Sequence, residues 1–193
     1  MTVFWGLGIA LLGVISGLSC RMDWARKLDQ TLFLKLNSPD LWVGLDHWIR
    51  YFRWFGTNWA LVVYVAIIVL WQYRLGITLI VAALITSALE MGIKRMIKRP
   101  RPFSSLPTAI LRQNPVPLDT GFPSGDATRI WFIFATLTIG LSPPLGIILG
   151  IGLCALFVSF GRVRLGVHYP LDVWAGSSLG FGLGLMWTAF LPI

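Results

Sequence analysis

Two cysteines, two histidines and eight acidic residues are all that this chain of 193 residues holds of the groups that most often bind metal or form cross-links. Cys20 and Cys154 lie within or at the edge of apolar stretches, without CxxC spacing and without a neighbouring His or Cys cluster. Neither a disulfide framework nor a zinc site is indicated. Charge is scarce too: 12% of residues are charged and 56% hydrophobic, and the mean hydropathy of +0.74 is more apolar than a soluble domain tolerates on its surface. The chain is therefore expected in a bilayer. There is no internal repeat and no low-complexity tract, and six spans of about 20 residues would use most of the length, leaving no room for a separate soluble module. One membrane domain over 1–193 is expected. The apolar run at 3–19 has no Lys or Arg before it and no small-residue cleavage site after it, so it reads as a first span rather than a secretory signal.

Apolar runs fall at 3–19, 57–73, 76–93, 127–141, 145–160 and 171–191, and predict an all-α bundle of six transmembrane helices. The breaks are chemically sensible: Gln72-Tyr73-Arg74, Ser142-Pro143-Pro144, and Tyr169-Pro170, where proline suits a first helical turn. Segment 21–56 mixes charges with Trp24, Trp42, Trp48, Phe52, Trp54 and Phe55, which suits amphipathic helices anchored at the membrane interface. Six alternating spans put 21–56, 94–126 and 161–170 on one face, so the polar chemistry collects there. Sixteen Lys and Arg against eight Asp and Glu give a net charge of +8. Such a balance points to phosphate on a lipid headgroup or substrate, and membrane character disfavours nucleic acid, which is not expected as a partner.

Three clusters share the polar face: Lys94 with Arg101-Pro102, Pro123-Ser124-Gly125-Asp126 opening the fourth span, and Arg162 followed by His168 and Asp172. Together they supply cations for phosphoryl oxygens, a helix N-terminus with free N–H groups, and a histidine backed by a carboxylate. With Pro170 in the first turn, Asp172 can reach back to one nitrogen of His168 and leave the other as nucleophile. A lone histidine is more often structural, but one at a membrane interface among these charges is expensive to place without a use. Taken singly, Lys94 could pair with Glu90 one turn earlier and Ser124 could cap its helix.

Lys94-x6-Arg101-Pro102, Pro123-Ser124-Gly125 and Gly161-Arg162-x5-His168-x3-Asp172, in this order, resemble the three-part signature of the phosphatidic acid phosphatase type 2 and haloperoxidase superfamily, in its membrane lipid phosphatase branch. The resemblance implies a six-helix bundle with its site at one membrane face and a reaction through a phosphohistidine that needs neither metal nor cofactor. It further implies that Lys94, Arg101 and Arg162 bind phosphate, that Ser124 and Gly125 supply oxyanion donors, that His168 is the nucleophile and that Asp172 orients it. Two positions depart from the pattern. Gly161 stands where serine is usual, and Asp126 stands where the family has the histidine that protonates the leaving group. An acidic residue in a first helical turn is favoured by the helix dipole, and the nearby cations would hold it ionised, so Asp126 is a poor acid. Asp119 and His47 are the remaining substitutes.

The substrate expected from this resemblance is a membrane lipid phosphate or diphosphate, favouring an undecaprenyl-type isoprenoid diphosphate. Phosphatidate and phosphatidylglycerophosphate are the alternatives. A binding protein that lost turnover through Asp126 is the alternative of another class, and a transporter is disfavoured because the charges cluster at one edge. A multi-pass protein of the bacterial inner membrane is expected. All Lys and Arg except Arg74 lie on the polar face, which the positive-inside rule assigns to the cytoplasm; a site that handles anionic lipids collects cations on either face, so the face stays open.

Overall fold

The computed structural model describes residues 1–40 and 43–191, and among these every regular element is helical. Trp42, counted above among the interfacial aromatics, lies outside the described residues. In chain order the α-helices are α1 (Thr2–Gly17), α2 (Asp23–Leu36), α3 (Asp46–Phe52), α4 (Asn58–Trp71), α5 (Tyr73–Ile97), α6 (Pro102–Ser105), α7 (Gly125–Gly140), α8 (Leu145–Arg164) and α9 (Pro170–Thr188). Short 3₁₀ turns at Leu18–Arg21 and Arg53–Gly56 join α1 to α2 and α3 to α4.

The centre of the bundle is α9, which packs against α1 on one side and α7 on the other. Small residues make both contacts possible. A Cβ at Gly182 would lie 2.5 Å from the Gly6 carbonyl and 2.6 Å from the Ala10 nitrogen, while one at Gly184 would lie 2.7 Å from the Ala135 Cβ. Close backbone approach of this kind is how helices associate where lipid removes the hydrophobic drive. The outward faces are apolar: Phe4, Leu11, Leu12 and Ile15 of α1, Val62, Val63, Ile67 and Leu70 of α4, and Leu149, Leu153 and Leu156 of α8 are all exposed. An apolar exterior of this extent suits lipid rather than water.

Three helical stretches among the described residues are long and apolar enough to cross a membrane, namely Thr2–Arg21, Tyr73–Ser105 and Leu145–Arg164. A fourth is reached if Val43–Gly56 and Asn58–Trp71, bent by 52°, count as one span. The remaining two predicted spans are helices α7 and α9, and α7 has only 16 residues. In segment 21–56, α2 buries one stripe, Ala25, Asp29 and Phe33, and exposes Trp24, Leu28 and Leu32.

Local sequence explains the ends that matter. α5 runs past 93 to Ile97, which puts Lys94 on the helix, and stops where Lys98 takes the left-handed conformation (φ 49°) and returns its N–H to the Lys94 carbonyl, with Pro100 beyond. α8 likewise runs past 160 to Arg164. It closes in a Schellman turn: Gly166, at φ 81°, donates to Val163 O, and Val167 donates to Arg162 O. The same carbonyl accepts the His168 N–H at 3.2 Å, so this turn folds His168 back beside Arg162.

Candidate active site

A cleft of about 890 Å³ opens among the C-terminal ends of α5 and α8, the N-terminus of α7 and the loop 106–122. Lys94, Arg101, Gly125, Asp126, Arg162 and His168 line it, and Asp119 and Arg129 join them. Ser124 and Asp172 lie directly behind this wall and are fully buried. His47, on α3, is exposed and stacks near Trp48 and Tyr51, away from the cleft.

His168 is 2% exposed. Its Nδ1 lies 2.8 Å from the Gly121 carbonyl, which can only accept, so Nδ1 carries the proton and Nε2 presents a lone pair toward the cleft. Burial, with Arg101, Arg162 and Lys94 nearby, holds the imidazole well below its ordinary 6.5 and therefore neutral. Arg101 Nη1 donates to Nε2 at 3.1 Å and to Val167 O at 2.9 Å. The expected reach of Asp172 to the histidine differs in detail. Its Oδ2 stands 3.8 Å from Nδ1, beyond hydrogen-bonding distance, while accepting the Tyr169 N–H at 2.9 Å, and its Oδ1 pairs with Arg99 at 2.7 Å. A carboxylate at N3 reaches its own helix cap more easily than a ring on the preceding loop. Asp172 thus holds the α9 N-terminus rather than the imidazole, and Asp29 of α2 reinforces that end by pairing with Arg99 at 2.7 Å and accepting the Leu171 N–H at 3.0 Å.

Two buried donors in this region have no hydrogen-bond partner among the described residues. Ser124 occupies the N-cap position of α7 but makes no capping bond, and its buried Oγ is unpartnered among the described residues. The buried Nε of Arg162 is unpartnered as well, although its Nη1 bonds Gln113 Oε1 at 2.8 Å and Asp126 Oδ2 at 2.9 Å. Orphaned buried donors beside cations and a helix N-terminus are costly unless an anionic ligand completes them.

The position that departs from the family pattern, Asp126, is held by two arginines: Arg162 at 2.9 Å and Arg129, one turn along the same helix, at 3.0 Å. Arg129 also pairs with Glu90 at 2.9 Å, and Glu90 lies 3.3 Å from Lys94. The sequence spacing anticipates the Glu90/Lys94 pair, whereas the role of Arg129 went unread, although the Asp126/Arg129 spacing was a signal for it. Gly161 has a packing reason, since a Cβ there would lie 2.9 Å from Ile49 Cγ2. Asp119 enters the cleft, where its carboxylate accepts from Lys94 Nζ and from Arg101 Nη2 at 2.5 Å. The Gly121 carbonyl had no sequence signal. Among the described residues no group of three or more His, Cys, Asp or Glu is arranged to hold a metal ion.

A family model described as the PAP2 superfamily matches residues 71–192. An undecaprenyl-diphosphatase of Sulfolobus acidocaldarius is 39% identical over 121 residues, which is 62% of this chain and 54% of that protein; the chain spans about half the length of this relative. The crystal structure of Aquifex aeolicus LpxE superimposes with a TM-score of 0.71 at 27% identity, covering 81% of this chain and 92% of that one. A transmembrane PAP2 type phosphatidylglycerolphosphate phosphatase from Bacillus subtilis gives a TM-score of 0.79 over 97% of this chain and 96% of its own, at 18% identity, a likeness of fold alone.

Proposed function

Because the chain belongs to the PAP2 superfamily, we propose that it is a multi-pass membrane phosphatase that hydrolyses a lipid phosphate or diphosphate through a phosphohistidine. On this reading residues 1–193 form one membrane domain, and α1, α4, α5, α7, α8 and α9 all cross the bilayer. The observation that carries it is the state of His168: neutral, its Nδ1 proton held by a carbonyl, and its Nε2 facing a cleft lined by Lys94, Arg101 and Arg162.

In the first step the Nε2 lone pair attacks phosphorus, a P–N bond forms, and the P–O bond to the leaving group breaks with its electrons on that oxygen. Lys94, Arg101 and Arg162 neutralise the equatorial oxygens; Ser124 Oγ, Arg162 Nε and the first-turn N–H groups of α7 complete the cradle. Water then attacks phosphorus, releasing orthophosphate and returning the pair to Nε2. Asp172 keeps the α9 N-terminus, and with it the histidine loop, in register. A lipid chain has room beside the cleft. Thr57 and Trp59 line both the cleft and an apolar groove of about 610 Å³ between α4, α7 and α8.

We favour a diphosphate, undecaprenyl diphosphate among them, over phosphatidate or phosphatidylglycerophosphate, because Asp126 is tied to two arginines and holds no proton for an alkoxide leaving group. The same pairing supports the second reading, a lipid-phosphate binder with impaired turnover, and a trapped phosphoprotein decides between them. The test of function is phosphate release from a panel of lipid monophosphates and diphosphates in detergent with a chelator present. Release from isoprenoid diphosphates is expected to exceed the rest. No release from any lipid sinks the enzyme, and a loss with EDTA that magnesium restores rejects the metal-free site.

Arg101→Ala and Arg162→Ala are each expected to cut turnover about a hundredfold or more, the scale of one preorganised oxyanion contact. Lysine at either position should restore only part, since a point charge lacks the planar fork. Full activity of Arg162→Ala would remove it from the cradle.

A further inference from the structure

Two cations of the proposed phosphate cradle are held by an anion of the chain itself. Asp119 sits on the loop ahead of α7, with its side chain 54% exposed, and reaches into the cleft to take hydrogen bonds from Lys94 Nζ and Arg101 Nη2. Its backbone carbonyl accepts a third, from Arg101 Nε at 2.8 Å. Burial alone would raise this carboxyl, but Lys94 and Arg101 outweigh it and hold the group at about 2, so it stays charged. Arg101 meanwhile spends Nη1 on the lone pair of His168, the atom that the proposed reaction needs free. The donors thus divide into two sets: those of Lys94 and Arg101 are engaged by Asp119 and His168, while Ser124 Oγ and Arg162 Nε have no partner among the described residues.

We propose that Asp119 is an internal competitor for the cradle: its carboxylate holds Lys94 and Arg101 when the site is empty, yields them to the substrate phosphoryl group, and takes them back as orthophosphate leaves. The inference rests on the phosphatase reading for its consequence in turnover, but not for its effect on anion binding. No rigid element need move, since Asp119 lies on an exposed stretch between α6 and α7. A ligand that finds its cradle free only part of the time binds more weakly by that fraction. The carboxylate therefore weakens the hold on every phosphate, and the product gains most from this, because it has no lipid chain to retain it.

The experiment measures binding of inorganic phosphate and orthovanadate by calorimetry, and their inhibition of lipid hydrolysis, for the full chain and for Asp119→Asn and Asp119→Ala. Both anions are expected to bind about tenfold tighter in the variants, as when a cradle one-tenth free becomes fully free. KM should fall without a rise in kcat. Misfolding cannot produce such a gain. Unchanged or weaker binding in both variants would overturn the proposal and make Asp119 a support for the two cations. Glu90→Gln is the charge control: it removes one negative charge beside Lys94 from the opposite, buried side. Equal tightening there would also overturn the proposal, as a bulk charge effect. A wild type that hydrolyses no lipid in the panel would reject the phosphatase reading alone, because the calorimetric comparison reads Asp119 without turnover.

Discussion

His168→Ala is expected to lower phosphate release by about 10⁴-fold or more while leaving lipid binding and the fold largely intact. Nε2 belongs to the one histidine that lines the cleft among the described residues, beside Lys94, Arg101 and Arg162. The fold should tolerate the change because what positions the loop lies in the backbone. The Schellman turn and the Asp172 cap hold residues 166–172, and Arg101 keeps Val167 O when it loses the ring. Radiolabel from substrate should appear on the wild-type chain and be absent from the variant. Turnover by His168→Ala near the wild-type rate would exclude the phosphohistidine route. The neutral imidazole also fixes the sign of the pH dependence. Its value in the folded chain lies well below 6.5, so the acid limb of kcat/KM is expected well below pH 6.5 rather than at it. Any stability that depends on keeping this ring neutral is complete above the unfolded value and is lost as pH falls toward the folded one.

Asp126→His is expected to raise lipid monophosphate hydrolysis about a hundredfold, within the 10²- to 10⁴-fold that a positioned acid typically contributes, and to change diphosphate hydrolysis little. A monophosphate ester expels an alkoxide, which needs a proton in the transition state; a diphosphate expels a phosphate monoester that is stable as an anion. Position 126 lines the cleft beside Arg162, so an imidazolium there would face the departing oxygen. The substitution also releases Arg129 and Arg162 from their shared carboxylate, and Glu90 remains to hold Arg129. The readout is initial rate on matched monophosphate and diphosphate lipids with one chain. A wild type that already prefers monophosphates, and loses that preference on substitution, would identify Asp126 as the working acid.

Much of this could be read without coordinates because it is a matter of local chemistry. Apolar runs are long enough to be recognised as helices, Ser142-Pro143-Pro144 and Tyr169-Pro170 break them where backbone geometry requires, and the order of the three clusters survives in one dimension. Errors fell at helix ends. α5 and α8 each outrun their apolar stretch, because hydropathy ends at the membrane edge whereas backbone hydrogen bonding continues until a residue such as Lys98 or Gly166 adopts the left-handed conformation. The small-residue faces of α9 were also written in the sequence, but which face meets α1 and which meets α7 was not.

What the sequence by itself determined is which groups are present and on which helix ends they stand: the cations, the histidine, the caps and the apolar mass that keeps them at one edge. What only the tertiary structure decided is the pairing among them. The proton on His168 is directed by the Gly121 carbonyl, Asp172 spends its charge on Arg99 and Tyr169, Asp126 is shared by Arg162 and Arg129, and Asp119 pairs with Lys94 and Arg101. The physical reason is distance along the chain. Asp172–Tyr169 and Asp126–Arg129 are three residues apart and local, but the pairs of His168 with Gly121, Asp172 with Arg99, Asp126 with Arg162 and Asp119 with Lys94 join atoms tens of residues apart, and the packing of α5, α7 and α8 against the central α9 sets those angstrom-scale separations.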